Sequence, residues 1–192
     1  MHTSRGLSLV EVLVALAVAA VLLGFAVPSL RKLLEQERST AAINAVIGTV
    51  HLARSSAIEL HARVIVCPLA APQGTGPARC GGHADWPHGW LTFVDRDRNA
   101  TFGGLDVGVR ESQSLATGAR LSWRSFRNRP YLAFEPSGLT EWQNGSFLYC
   151  PASADPHDAR QVVLNPQGRL RQLTDRDGDG IVEDTNGRPV RC

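Results

Sequence analysis

The sequence holds a single lysine, Lys32, against nineteen arginines, and its formal charge is only +2. So small a net charge excludes a global field as the means of attracting nucleic acid or an acidic surface; any such partner must be met by a local patch. There is no Gly-x-Ser-x-Gly, no Cys/His dyad at a recognisable spacing and no phosphate-cradling glycine loop. The spacing of the Asp and Glu residues marks no acid–base pair either, so the reading is that of a non-enzyme. No internal repeat and no linker to a second domain is visible. What is present is 192 residues, 43% of them hydrophobic, enough for one ordinary domain and an appendage. The 18 Gly and 11 Pro argue against an all-helical bundle.

The appendage is N-terminal. From Leu7 to Leu30 the chain is almost purely apolar, and as a helix it would span about 36 Å against a bilayer core of about 30 Å. It exceeds the apolar run of a secretory signal, usually about 7–15 residues, and no small-x-small cleavage site ends it. Glu11 sits inside this run, which itself contains no basic residue. A carboxylate at membrane depth costs about 2.5–3.5 kcal/mol on insertion scales and is functional by default.

A short basic leader ending in Gly6, a new first residue Leu7, and Glu11 at the fifth position of an apolar run resemble the class III leader of type IV pilins and type II secretion pseudopilins. Leu7 and Ser8 replace the more usual Phe and Thr. The resemblance implies removal of residues 1–6 by a prepilin peptidase on the cytoplasmic side and N-methylation of Leu7. Residues 7–30 then form the membrane-spanning and later filament-core helix, with residues 31–192 as the periplasmic pilin domain. Arg5 on the short side agrees with that orientation. Glu11 is expected to meet the amino group of Leu7 on a neighbouring subunit, so that both buried charges are satisfied only in register.

Beyond Arg31, Ile43, Val46, Val50, Ala53, Ala57 and Leu60 recur at spacings of three and four, one apolar face of an amphipathic helix. The whole helix is expected to reach about Ala62, kinked at Pro28. Short β-branched or aromatic runs follow: 63–67, 90–94, 107–111, 120–125, 131–134, 146–150, 161–164 and 169–173. Residues 70–88 read as a long loop and 152–160 as a shorter one. A long helix packed on an antiparallel sheet is α+β, the pilin architecture. Within Val64–Leu173, the ordered segments Gly89–Asp95, Leu132–Gly138, Ser146–Cys150, Val162–Asn165 and Gly168–Arg171 resemble the FimT/GspH branch of that superfamily.

All four cysteines lie beyond the membrane segment, where an oxidising periplasm permits disulfides. Three pairings are open; Cys67–Cys80, closing the long loop, and Cys150–Cys192, tying down the tail, are the expected ones. Zinc at Cys80, His83 and His88 is the disfavoured alternative, since its spacing matches no strong metal motif.

Two constellations point to binding. On a strand, Arg169 and Arg171 share a face, about 7 Å apart, a separation that matches successive phosphates of a DNA strand. Gly168 before them permits a tight turn that brings backbone N–H groups near a phosphate. Gly168-Arg169-Leu170-Arg171 resembles the Gly-Arg-x-Arg signature of FimT-type minor pilins that bind DNA, without sequence preference, for natural transformation. Arg160, Arg124 and Arg127 are candidates to extend the patch, with Trp123 and Phe126 as stacking platforms. The alternative is a secretion pseudopilin, or a structural pilin that primes assembly, with no role for DNA. The second constellation, Asp175, Asp177, Asp179 and Gly180, fits the start of an EF-hand-type calcium loop. Its twelfth position is Asn186, so Glu183 or Asp184 is the substitute ligand in a shorter loop. The related run Asp95–Asn99 lacks the Gly and carries two Arg. No other cofactor is expected. The expected partners are other pilins or pseudopilins in a filament, the peptidase, the inner membrane and DNA.

Overall fold

The computed structural model describes residues 9–82, 84 and 86–192. Gly6 and Leu7 of the leader junction, and His83 of the zinc alternative, fall outside them. The chain divides into two units with the boundary between Glu37 and Arg38.

In the first unit, helix α1 (Leu9–Glu59) begins in the apolar run and is long and apolar enough there to cross a membrane. Leu9, Val10, Leu13, Leu16, Val21 and Leu22 all lie exposed along it. The helix continues through position 28 without interruption, so the expected bend at Pro28 does not break it.

In the second unit, α1 turns amphipathic. Ile43, Val46, Val50, Ala53 and Ala57 are buried, whereas Leu60 is exposed. Leu60 is the C-cap residue, its N–H still on the Ser56 carbonyl, and the helix closes with Ala62 N–H on the Ala57 carbonyl and His61 N–H on that of Ile58. His61 takes φ 49°, the left-handed residue of a Schellman cap. The apolar period therefore stops at Ala57.

Eight strands follow: β1 (Val64–Pro68), β2 (Trp90–Val94), β3 (Val107–Glu111), β4 (Arg120–Ser125), β5 (Leu132–Phe134), β6 (Gly145–Cys150), β7 (Arg160–Leu164) and β8 (Leu170–Gln172). They form two antiparallel sheets rather than the expected one, in the orders β3-β2-β1-β5 and β4-β6-β7-β8. One core joins the helix to both, with Val64, Val66, Trp90 and Phe134 from the first and Leu121, Trp123, Phe147, Tyr149, Val162 and Leu164 from the second. The Trp90 indole N–H donates to Thr49 Oγ1 of α1 at 2.8 Å.

The two sheets differ in their outer faces. The first buries the outer face of β1, β2 and β5 as well, with Ile65, Cys67, Leu91, Phe93 and Ala133 covered by Ala78 and Cys80 of the loop that the Cys67–Cys80 disulfide closes and by Ala100 and Phe102 of the loop after β2. That is why β1 reads as an unbroken apolar run and β2 as one interrupted only by Thr92. The second sheet alternates buried and solvent-facing residues along β4. The long loop between β1 and β2 is not wholly external. Trp86 lies in the core with its ring 5.1 Å from that of Phe147, and its backbone N–H donates to the Leu121 carbonyl.

Candidate functional site

The outer face of the second sheet carries the basic candidates at its edges, while its middle, at Leu148 and Val163, is half-buried against Leu173, Val182 and Val190 of the chain beyond β7. Paired residues on neighbouring strands point to the same side, and the register aligns Arg124 with Ser146, Ser146 with Val163, and Val163 with Arg171. The adjacent row (Trp123, Phe147, Val162) is buried in the core, so the Arg124–Arg171 row faces outward. Arg124 and Arg171 are exposed at the two edges of this face, three strand spacings or about 14 Å apart. Arg169 and Arg127 are also exposed. Among the described residues none of these four guanidiniums is in an ion pair.

Arg160 is placed elsewhere. It pairs with buried Tyr149, in a row of the opposite parity, and its Nη1 donates to the carbonyls of His157 and Ala159 at 3.0 and 2.8 Å. It holds the 3-10 turn Pro156–Asp158 onto β7 rather than extending the patch. Trp123 is likewise no platform, being 1% exposed and stacked on Phe147 with ring centroids 4.4 Å apart. Phe126, at the turn after β4, is 80% exposed.

The β7–β8 hairpin explains Gly168. Asn165-Pro166-Gln167-Gly168 forms a turn in which Gly168 N–H donates to the Asn165 carbonyl at 2.9 Å and Asn165 N–H to that of Arg169 at 3.1 Å. Pro second and a left-handed Gly fourth are the residues this turn and its bulge demand. Gly168 has φ +72°, and a Cβ there would stand 2.8 Å from Phe134 Cε1. It is buried and its N–H is committed, so the expected backbone donor for a phosphate is not available there. The Arg169 N–H is also used, on Asn165 Oδ1. Arg169 itself falls just before β8. The exposed basic groups of this hairpin are thus the side chains of Arg169 and Arg171.

Two acidic loops occupy other parts of the domain. In the loop after β2, Asp95 is 2% exposed; its Oδ2 accepts the Ala100 N–H at 3.2 Å and stands 3.3 Å from Arg63 Nη1. Its Oδ1 is buried without a hydrogen-bond partner. Burial pushes the Asp95 carboxyl above its usual range, with the Ala100 N–H and the Arg63 charge opposing. Arg63, 8% exposed, also meets Glu135 and Glu141 at 3.5 and 2.9 Å. Sequence reading missed this hub; its signal was an arginine at the head of an otherwise apolar strand.

The second acidic loop follows β8. Asp175 accepts the N–H groups of Gly178 and Gly180 at 2.7 and 2.8 Å, and these bonds hold its carboxyl below the usual range. One carboxylate oxygen from each of Asp175, Asp177, Asp179 and Glu183 lies within 4.8 Å of the others. Of the two substitutes considered for the missing twelfth ligand, Glu183 turns into the loop. Asp184 instead accepts the N–H groups of Asn186 and Arg188 in the following turn. Cys150 is bonded to Cys192 and Cys67 to Cys80, so Cys80 is no zinc thiolate.

A long helix, apolar in its first part and packed through its amphipathic second part on antiparallel sheets that two disulfides close, is a pilin-like arrangement. The family model for the type II transport protein GspH matches residues 42–168, and that for the prokaryotic N-terminal methylation motif matches residues 1–27. The chain belongs to the GspH family. No curated protein matches it. Among solved structures it is similar to the type IV minor pilin FimU of Pseudomonas aeruginosa, with 15% identity and a TM-score of 0.55 over 73% of this chain and 91% of that one. The minor pseudopilin EpsH from the Type 2 Secretion System of Vibrio cholerae gives 13% identity and a TM-score of 0.48 over 71% and 97%.

Proposed function

We propose that this pilin-class subunit is a minor type IV pilin that binds DNA through the outer face of its second sheet, for uptake in natural transformation. The observation that carries the reading is the register that sets Arg124 and Arg171 at the two exposed ends of one outward-facing row, with Arg169 beside it at the head of β8. Exposed, unpaired guanidiniums at the edges of a sheet face suit phosphates of any sequence, because phosphate contacts position a duplex without reading bases. The peptidase cuts after Gly6 and Leu7 is methylated while the subunit sits in the inner membrane with residues 31–192 in the periplasm, where it stays until it is drawn into the filament. Glu11 then pairs with the amino terminus of its neighbour in the filament. A Glu11→Ala subunit should be missing from sheared filaments while still present in the membrane.

DNA binding is tested on residues 38–192, which contain the shared core. Titrating salt from about 50 to 200 mM, each duplex phosphate contact contributes a slope of about −0.9 to log K against log[salt]. Arg169→Ala/Arg171→Ala should lower that slope by about two contacts with the fold intact, and Arg160→Ala should leave it unchanged. Absence of binding by the wild type at about 50 mM salt would return the chain to the secretion pseudopilin reading.

A further inference from the structure

The loop after β8 has a feature that its acidic composition alone does not explain. Glu183 is 6% exposed; its Oε2 accepts the Arg176 N–H at 2.8 Å, and its Oε1 is buried with no hydrogen-bond partner. A carboxylate oxygen withdrawn from water, beside three further carboxylates, is strongly unfavourable unless a cation meets it. Among the described residues no Lys, Arg or His forms an ion pair with any of the four.

The dimensions fit one ion. The four oxygens lie within 4.8 Å of one another, about the length of two Ca–O bonds of 2.3–2.6 Å set end to end. Asp175, Asp177, Asp179 and Glu183 stand at positions one, three, five and nine of the loop, with Gly180 at six in the left-handed region, φ +88°. Each aspartate oxygen that accepts a backbone N–H keeps a second lone pair. The donors are all hard anionic oxygens, which excludes a preference for soft metals. Four protein carboxylates in one loop also suit calcium over magnesium, which keeps most of its waters.

We propose that Asp175, Asp177, Asp179 and Glu183 bind a calcium ion that fastens the C-terminal segment to the second sheet. Beyond β8 this segment has one antiparallel pair, Glu183 with Pro189, and a small cluster of Leu173, Val182, Val190 and Ala159. Its end is bonded through Cys192 to β6. The ion joins Glu183, at the head of that pair, to Asp175, close behind β8, so that the segment is held at both ends. The inference does not depend on DNA binding.

The test uses the full chain in detergent micelles, stripped with EDTA and dialysed against calcium chloride alone. Saturable uptake is expected, half-complete between about 10⁻⁵ and 10⁻³ M, with a melting temperature that climbs with log[Ca²⁺]. Magnesium should give less than a tenth of the affinity. Glu183→Gln, or Asp177→Asn at an exposed position, should remove one bound ion per chain or weaken it at least tenfold; Asp97→Asn in the other acidic loop should do neither. Absence of saturable uptake up to about 10 mM would overturn the proposal. So would uptake unchanged in folded Asp177→Asn and Glu183→Gln, or uptake abolished by Asp97→Asn.

Discussion

The loops that begin at Asp95 and at Asp175 share one backbone and differ in what balances their charge. In both, the sixth residue donates its N–H to the first carboxylate, the fifth to the third side chain and the seventh to the fifth. In both, the fourth and sixth residues have positive φ: Arg98 and Ala100 in one, Gly178 and Gly180 in the other. Each is closed by a later acid that takes the second residue's N–H, Asp106 in one and Glu183 in the other. The first loop, however, has Arg63 against its leading carboxylate, and among the described residues the second has no cation paired with it. The same fold of backbone thus becomes part of a buried ion network in one place and an open cluster of carboxylates in the other.

Removing the internal cation is the harshest way to break this contrast. Arg63→Ala leaves Asp95 buried without its partner and should cost about 3–5 kcal/mol, read by urea denaturation of residues 38–192. The analogous charge removal in the open loop, Asp179→Asn in EDTA, should raise the melting temperature instead. Opening the Cys150–Cys192 bridge comes next. It closes a span of 42 residues, and Cys150→Ser/Cys192→Ser should cost about 2–4 kcal/mol on chain-entropy grounds, with the calcium midpoint moved to higher concentration. Ala100→Gly gives the first loop the residue that the second already has at φ +88°. Relief of left-handed strain at Ala100, offset by glycine's greater unfolded-state entropy, should stabilise by no more than about 1 kcal/mol.

The smallest effect is a pH slope. Because burial raises the folded pKa of Asp95 above 3.8, the native state holds that proton more firmly than the unfolded chain. Its contribution to stability therefore falls as pH rises from 3.8 through the raised value. Asp95→Asn should remove that descending component from stability curves recorded between about pH 3 and 6; parallel wild-type and variant curves would refute it.

Much of this was legible beforehand because it is local. The edges of β2, β3 and β4 follow from β-branched and aromatic runs cut off by Gly, Pro and Asp. The buried stripe from Ile43 to Ala57 follows from helical period. The Asp175 loop and the Arg169–Arg171 pair show in their spacing. Leu60 misled, since it keeps the period while the Schellman cap at His61 has already ended the helix. Trp86 was lost in a stretch rich in Gly and Pro, whose burial depends on β4 and β6 from much later in the chain.

The N-terminal character of the protein, its α+β class and its pilin membership belong to the sequence itself, because apolar period, turn chemistry and the Gly6–Glu11 leader pattern are read within a few residues. Tertiary structure alone decided the rest. It split the strands into two sheets, set Arg124 in line with Arg171 and turned Arg160 away, committed the Gly168 N–H to a turn, and chose Glu183 over Asp184 to face the aspartates. The physical reason is that pairing partners and buried neighbours come from distant segments. Whether a given charge is exposed, neutralised or orphaned is set by those neighbours and not by the residues beside it in the chain.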